Sequence, residues 1–201
     1  MKIKLIVFST LFFFISCWAF SQTFMHSLGG TVSVLSAHVK VPSATPGFGY
    51  PYSEEYNLAL VQYATTYFPR INFETGGNSS FSIGVPLAIG LGSASDVRGA
   101  NSGVFFSYDL PAVADLNIGY KSSVENERSF GYFFGGGFGY NHVGIALSSG
   151  SEKITSYGPL VHAGTKFKMG RSGSLFTGLY YKFGLESQKY KTFGIQILSD
   201  L

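Results

Sequence analysis

Residues 104–120 read VFFSYDLPAVADLNIGY, and the alternation inside this stretch decides the fold. The even positions are Val104, Phe106, Tyr108, Leu110, Ala112, Ala114, Leu116, Ile118 and Tyr120, without one charged group. The odd positions mix Ser107, Asp109, Asp115 and Asn117 with Phe105, Pro111, Val113 and Gly119. A repeat of two puts these sets on opposite faces of an extended chain, and helical spacing does not produce it.

The same period recurs along the chain. Phe81 to Leu91 places Phe, Ile, Val, Leu, Ile and Leu on odd positions, and Leu175 to Leu185 follows suit. Asn57–Phe73, Phe130–Tyr140, Tyr157–Gly170 and Lys191–Leu201 carry weaker versions, and the first strand, about Phe24 to Val39, changes phase near Leu35 in the manner of a bulge. The reading is eight strands, with short turns at Glu74–Asn78, Ser122–Arg128 and Gly170–Gly173. Longer connections run over Lys40–Tyr56, Ser93–Ser102 and His142–Thr155. Turns and loops alternate, so they segregate to opposite ends, the layout of an antiparallel up-and-down barrel. Pro69, Pro86, Pro111 and Pro159 fall inside these strands, where each removes a ladder hydrogen bond. Tyr108–Pro111 is the place where a turn would split one strand into two.

Ahead of the strands stands MKIKLIVFSTLFFFISCWAFSQ: Lys2 and Lys4, an apolar run, then Ala19-Phe20-Ser21 before Gln22. Residues 1–21 read as a secretory signal peptide and 22–201 as one barrel domain. Lipid modification at Cys17 is the alternative processing route. Without residues 1–21 the chain keeps 12 basic and 11 acidic residues and no cysteine. That excludes disulfides and thiol chemistry, and the balanced charge argues against a nucleic-acid partner. Charged residues make up 12% of the chain and aromatics 17%, against the usual quarter charged in soluble domains.

Periodicity alone leaves open a soluble, lipocalin-like barrel with an apolar bore and a membrane barrel with an apolar exterior. The second face favours the membrane. It is rich in glycine (Gly84, Gly131, Gly135, Gly164, Gly178) among long side chains, an arrangement for a narrow filled lumen. The chain resembles small outer-membrane β-barrels of Gram-negative bacteria. The stretches YFPRINFE, FSIGVPLAIGLG, FFSYDLPAVADLNIGY and GYFFGGGFGYN look most like porin-like outer-membrane barrels of the Bacteroidota. The resemblance implies an eight-stranded transmembrane β-barrel in the cell outer membrane with periplasmic termini. It also implies contact with outer-membrane lipid and lipopolysaccharide, insertion by the barrel-assembly machinery, and a protein partner at the extracellular loops. Such barrels often end in an aromatic residue, whereas this chain ends Ser199-Asp200-Leu201.

The expected lumen holds Arg70, Lys166, Lys168 and Lys182 against Asp109 and Asp115, an ion-pair network in which mutual pairing offsets desolvation. His162 with Asp115 or Asp109 and Ser107 is a general-base set on paper, matching no catalytic signature. Neither cofactor nor metal is implied: no histidine pair has ligand spacing, and GYFFGGGFGYN lacks the helix a phosphate loop needs. YPYSEEY, residues 50–56, reads as an exposed contact surface or a solvated loop. Three functions follow: a structural or interaction protein with a filled lumen, a lipid-modifying enzyme, and a narrow channel for small apolar solutes.

Overall fold

The computed structural model describes residues 22–43, 52–96, 102–122, 126, 128–147, 150–170, 173–185 and 190–201. Residues 1–21, read above as a signal peptide with Cys17, and most of the YPYSEEY stretch lie outside the described residues or have no described side chains. Among the described residues there are nine β segments: β1 (Gln22–Ser43), β2 (Tyr52–Gly76), β3 (Ser79–Gly84), β4 (Leu87–Asp96), β5 (Ser102–Gly119), β6 (Phe130–Leu147), β7 (Gly150–Met169), β8 (Gly173–Phe183) and β9 (Lys191–Asp200). β3 and β4 both lie between β2 and β5 and keep one register, so they form a single stave interrupted at Val85–Pro86. Eight staves result, each antiparallel to its neighbours, and β1 pairs with both β2 and β9 to close the ring.

Closure fixes the dimensions. Partner by partner, Phe24 leads through Ile71, Ile83, Ala114, Gly136, Val161, Tyr181 and Phe193 back to Val34, ten residues further along β1. Ten residues of stagger at about 3.3 Å each, over eight staves about 4.8 Å apart, set a tilt of about 40° and a backbone radius of about 8 Å. A cylinder of that width is filled by its own side chains.

The two faces separate as the alternation requires. Val161 is 54% exposed while its neighbour His162 is 7% exposed. Phe24, Ile83, Leu91, Phe134 and Ile195 stand outward, whereas Arg70, Lys166 and Lys182 are buried inside. A water-soluble protein shows the opposite arrangement, and so continuous an apolar exterior matches a hydrocarbon surround. The run Phe81–Leu91 spans about 25 Å along the axis at this tilt, the height of an outer-membrane apolar band. Aromatic side chains mark both its edges. Phe130 and Phe167 meet at 5.2 Å near the end with the short turns, and Tyr108 and Tyr140 meet at 6.2 Å near the other. At the turn end, Gly119 (φ 84°) and Gly170 (φ 63°) take left-handed conformations that disfavour a side chain.

Several expectations change. β1 has no phase shift: Ser27, Thr31, Ser33, Leu35 and Ala37 all face inward in one unbroken register with β2. What changes near Leu35 is the lumen, which becomes apolar where Leu35, Leu58, Leu60, Phe105, Ile145 and Ile154 pack together. The stretches read as loops over 40–56 and 142–155 are largely strand, pairing out to Ser43–Tyr52 and Leu147–Gly150. Beyond the lipid band the inward row turns apolar at Val143, Ile145 and Ile154 while the outward row carries Gly144, Ser151 and Lys153, so the alternation reverses its sense while the ladder continues. Tyr108–Pro111 is not a turn, since β5 runs through it; the proline that interrupts a stave is Pro86.

Candidate functional site

The polar bore is assembled from inward positions of every stave. At the turn end Asp200, the last residue of β9, gathers four others. Arg70 donates to it at 2.8 Å, Ser174 at 2.6 Å, and Ser27 also donates, while Lys121 approaches at 3.2 Å. Arg70 further donates to Ser27 at 2.7 Å and lies over the rings of Phe68 and Phe176, 5.1 and 5.6 Å from their centres. Beside this cluster, in the turn after β5, burial and then the Asp200 carboxylate raise the Tyr120 phenol above its ordinary pKa.

Further along the bore, Phe133 and Phe176 stack at 4.2 Å, with Phe68 edge-on to Phe176 at 5.9 Å. Glycine makes this stack possible: a methyl group on Gly164 would sit 2.5 Å from the Phe133 ring. Lys166 donates to Asn117 Oδ1 at 2.6 Å, its Nζ 5.9 Å from the Phe133 ring centre. His162 Nε2 contacts Asp115 Oδ1, and its ring meets Phe133 edge-on at 5.4 Å. Higher still, Lys182 donates to Asp109 at 2.8 Å.

Between these pairs lies an internal cavity lined by Thr31, Gln62, Asp109, His162, Tyr180 and Lys182, with Pro86 and Pro111 in its wall. A water-sized sphere's centre sweeps about 20 Å³ there, room for about one water molecule. Toward the loop end the cluster around Leu35 and Phe105 closes the bore with hydrocarbon.

The placements differ in part from the sequence expectation. Arg70, Asp109, Asp115, Lys166 and Lys182 face the lumen, but they form separate pairs rather than one network. Lys168 is not among them. It is exposed at the turn end of β7, where the inward row has run past the bore, and its N–H donates to the Ser129 carbonyl at 2.9 Å. The general-base set does not assemble either. Ser107 donates to the Gly90 carbonyl at 3.4 Å, and Asp109 is taken by Lys182, leaving His162 with Asp115. Among the described residues no three His, Cys, Asp or Glu side chains come together as metal ligands.

Sequence reasoning missed Asp200 and Lys121. The signal for Asp200 is present: Thr192, Gly194, Gln196, Leu198 and Asp200 share one phase against Phe193, Ile195 and Ile197. Lys121 sits in a turn with φ 55°, where periodicity carries no information.

No protein-family model matches the sequence, and no match was found among curated proteins. Similar solved structures include Ail, the attachment invasion locus protein of Yersinia pestis, at 10% identity, 87% of this chain and 96% of that one, TM-score 0.47. Neisserial surface protein A is similar at 11% identity, 90% and 98% coverage, TM-score 0.48. The outer membrane protein OprG from Pseudomonas aeruginosa is similar at 10% identity, 88% and 94% coverage, TM-score 0.48.

Proposed function

We propose that the chain, cleaved ahead of Gln22, is an integral outer-membrane barrel with a side-chain-filled lumen, acting as a structural or interaction protein through its loop end. The observation that carries this reading is a closed eight-stave ring with hydrocarbon outside and paired charges inside. In lipid a sheet must close to pair its backbone, and here it does. Termini and short turns face the periplasm, and the long hairpins face outward. β1 and β2 stay paired to Ser43–Tyr52, well past the apolar band, and so offer a partner protein or lipopolysaccharide a raised surface. The barrel-assembly machinery inserts the chain. A one-water cavity and an apolar closure support a plug over a channel, and the Ser107 hydrogen bond to the Gly90 carbonyl favours this reading over a lipid-modifying enzyme.

Outer-membrane fractions run on a gel with and without boiling test the placement. A heat-dependent shift is the expected result; recovery of the processed chain from a detergent-free periplasmic extract refutes it. Planar-bilayer recording tests the plug, for which no steady conductance is expected.

A further inference from the structure

The barrel wall has a break at mid-height. The ladder joining β3 to β5 ends at Gly84–Val113, and the ladder joining β4 to β5 resumes at Ala88–Asp109. Register carried across this gap sets Pro86 opposite Pro111. Val85 N–H points the other way and donates to the Pro69 carbonyl at 3.1 Å, so the next residue turns its backbone toward β5. Pro86 and Pro111 thus face each other where each should give one hydrogen bond, and neither has an N–H to give. Both rings are buried against the internal cavity, while Val85 and Leu110 face outward. On the lipid side the flanking Val85 and Leu110 offer only hydrocarbon; on the lumen side Gln62, Tyr180 and the Lys182–Asp109 pair line the same cavity.

We infer that this seam is a lateral portal, through which a small neutral hydrogen-bond donor passes between the bilayer and the lumen cavity. The inference rests on the membrane placement proposed above. The chemistry selects the passenger. Two carbonyls without donors accept only from a donor, and the apolar approach past Val85 and Leu110 excludes charge. The cavity behind takes a molecule about the size of water before the seam widens. With two ladder bonds absent, opening here costs less than anywhere the ladder is complete.

The test uses the processed chain, which has no native cysteine, with Ala88→Cys placed in the cavity wall and refolded into phosphatidylcholine vesicles. Maleimide, small, neutral and carrying an imide N–H donor, is compared with a sulfonate-bearing methanethiosulfonate, and labelling is followed by mass. Maleimide is expected to modify this cysteine, and the sulfonate reagent to leave it intact. Adding Pro86→Ala and Pro111→Ala restores two donors and slows labelling roughly tenfold or more. A lumen control, Ser33→Cys, is unmoved by the proline changes. Labelling at position 88 that ignores the prolines, with the sulfonate reagent excluded, overturns the portal alone. Equal labelling by both reagents also overturns the portal, since a charged reagent then reaches the cavity by an aqueous route, while the heat-dependent gel shift reports separately on the membrane placement. Should Ala88→Cys fail to give the folded gel band, hydrogen exchange on the unmodified chain decides. Segments 82–91 and 107–116 are expected to exchange faster than 176–182 and 192–198, and equal protection overturns the proposal.

Discussion

Asp200→Asn is the perturbation that most sharply probes the lumen. The carboxylate is nearly buried and holds a fully buried Arg70 at 2.8 Å, with Lys121 at 3.2 Å on its other oxygen. Neutralising it leaves two cations facing one amide. Arg70 is already short of one partner, since its Nε has none. Breaking a buried pair from one side costs about 3–5 kcal/mol, about a fifth or more of the stability of a typical domain. Arg70→Met costs less, because Asp200 keeps Lys121, Ser27 and Ser174. The double change Arg70→Met with Asp200→Leu removes both charges and loses less than Asp200→Asn alone, because apolar replacements of a buried pair are often neutral. The assay is urea unfolding of the barrel refolded in vesicles, with the folded fraction read from unboiled gels; the one tryptophan, Trp18, lies in the proposed signal peptide. A loss under about 1 kcal/mol for Asp200→Asn, or a double variant that loses as much as Asp200→Asn alone, refutes the reasoning.

Four further outcomes are expected from the same assay. Lys182→Met strands Asp109 and destabilises the barrel by about 3 kcal/mol or more, and adding Asp109→Asn recovers most of that. Gly164→Ala costs about 1–3 kcal/mol or more, since the methyl group meets the Thr177 carbonyl oxygen as well as the Phe133 ring at 2.5 Å, and Phe133→Leu relieves only the second contact. Gly77→Ala, with open space around it, stays within about 0.5 kcal/mol. Val161→Arg on the outer face costs about 2–4 kcal/mol, whereas Ser151→Arg, exposed beyond the band, costs about 0–1 kcal/mol.

Most of the architecture was readable because lipid imposes one rule on every stave. Even positions of β5 had to be apolar, and the sequence shows it from Val104 to Tyr120. Legibility ends where that rule stops acting. Beyond the bilayer the inward row becomes the apolar one, at Val143, Ile145 and Ile154, so β6 and β7 continue past His142 and Thr155 with the alternation reversed. Inside the bore the rule is only that charges find partners, and which partner depends on stagger. A ten-residue stagger puts Arg70 beside Asp200 rather than Asp115, and Lys182 beside Asp109, and no local spacing encodes it. The apolar lumen closure at Leu35 imitated a phase change because an inward leucine looks like an outward one. The prolines were visible as trouble, but the alignment of Pro86 with Pro111 needed the register.

Which face of the sheet meets hydrocarbon is tested most directly by single spin labels on one strand, at positions 161 and 162, in reconstituted vesicles. At 161 the label is expected to relax strongly with oxygen and weakly with a water-soluble nickel chelate, and at 162 to be shielded from both. Strong nickel access at 161, or oxygen access greater at 162 than at 161, contradicts the account.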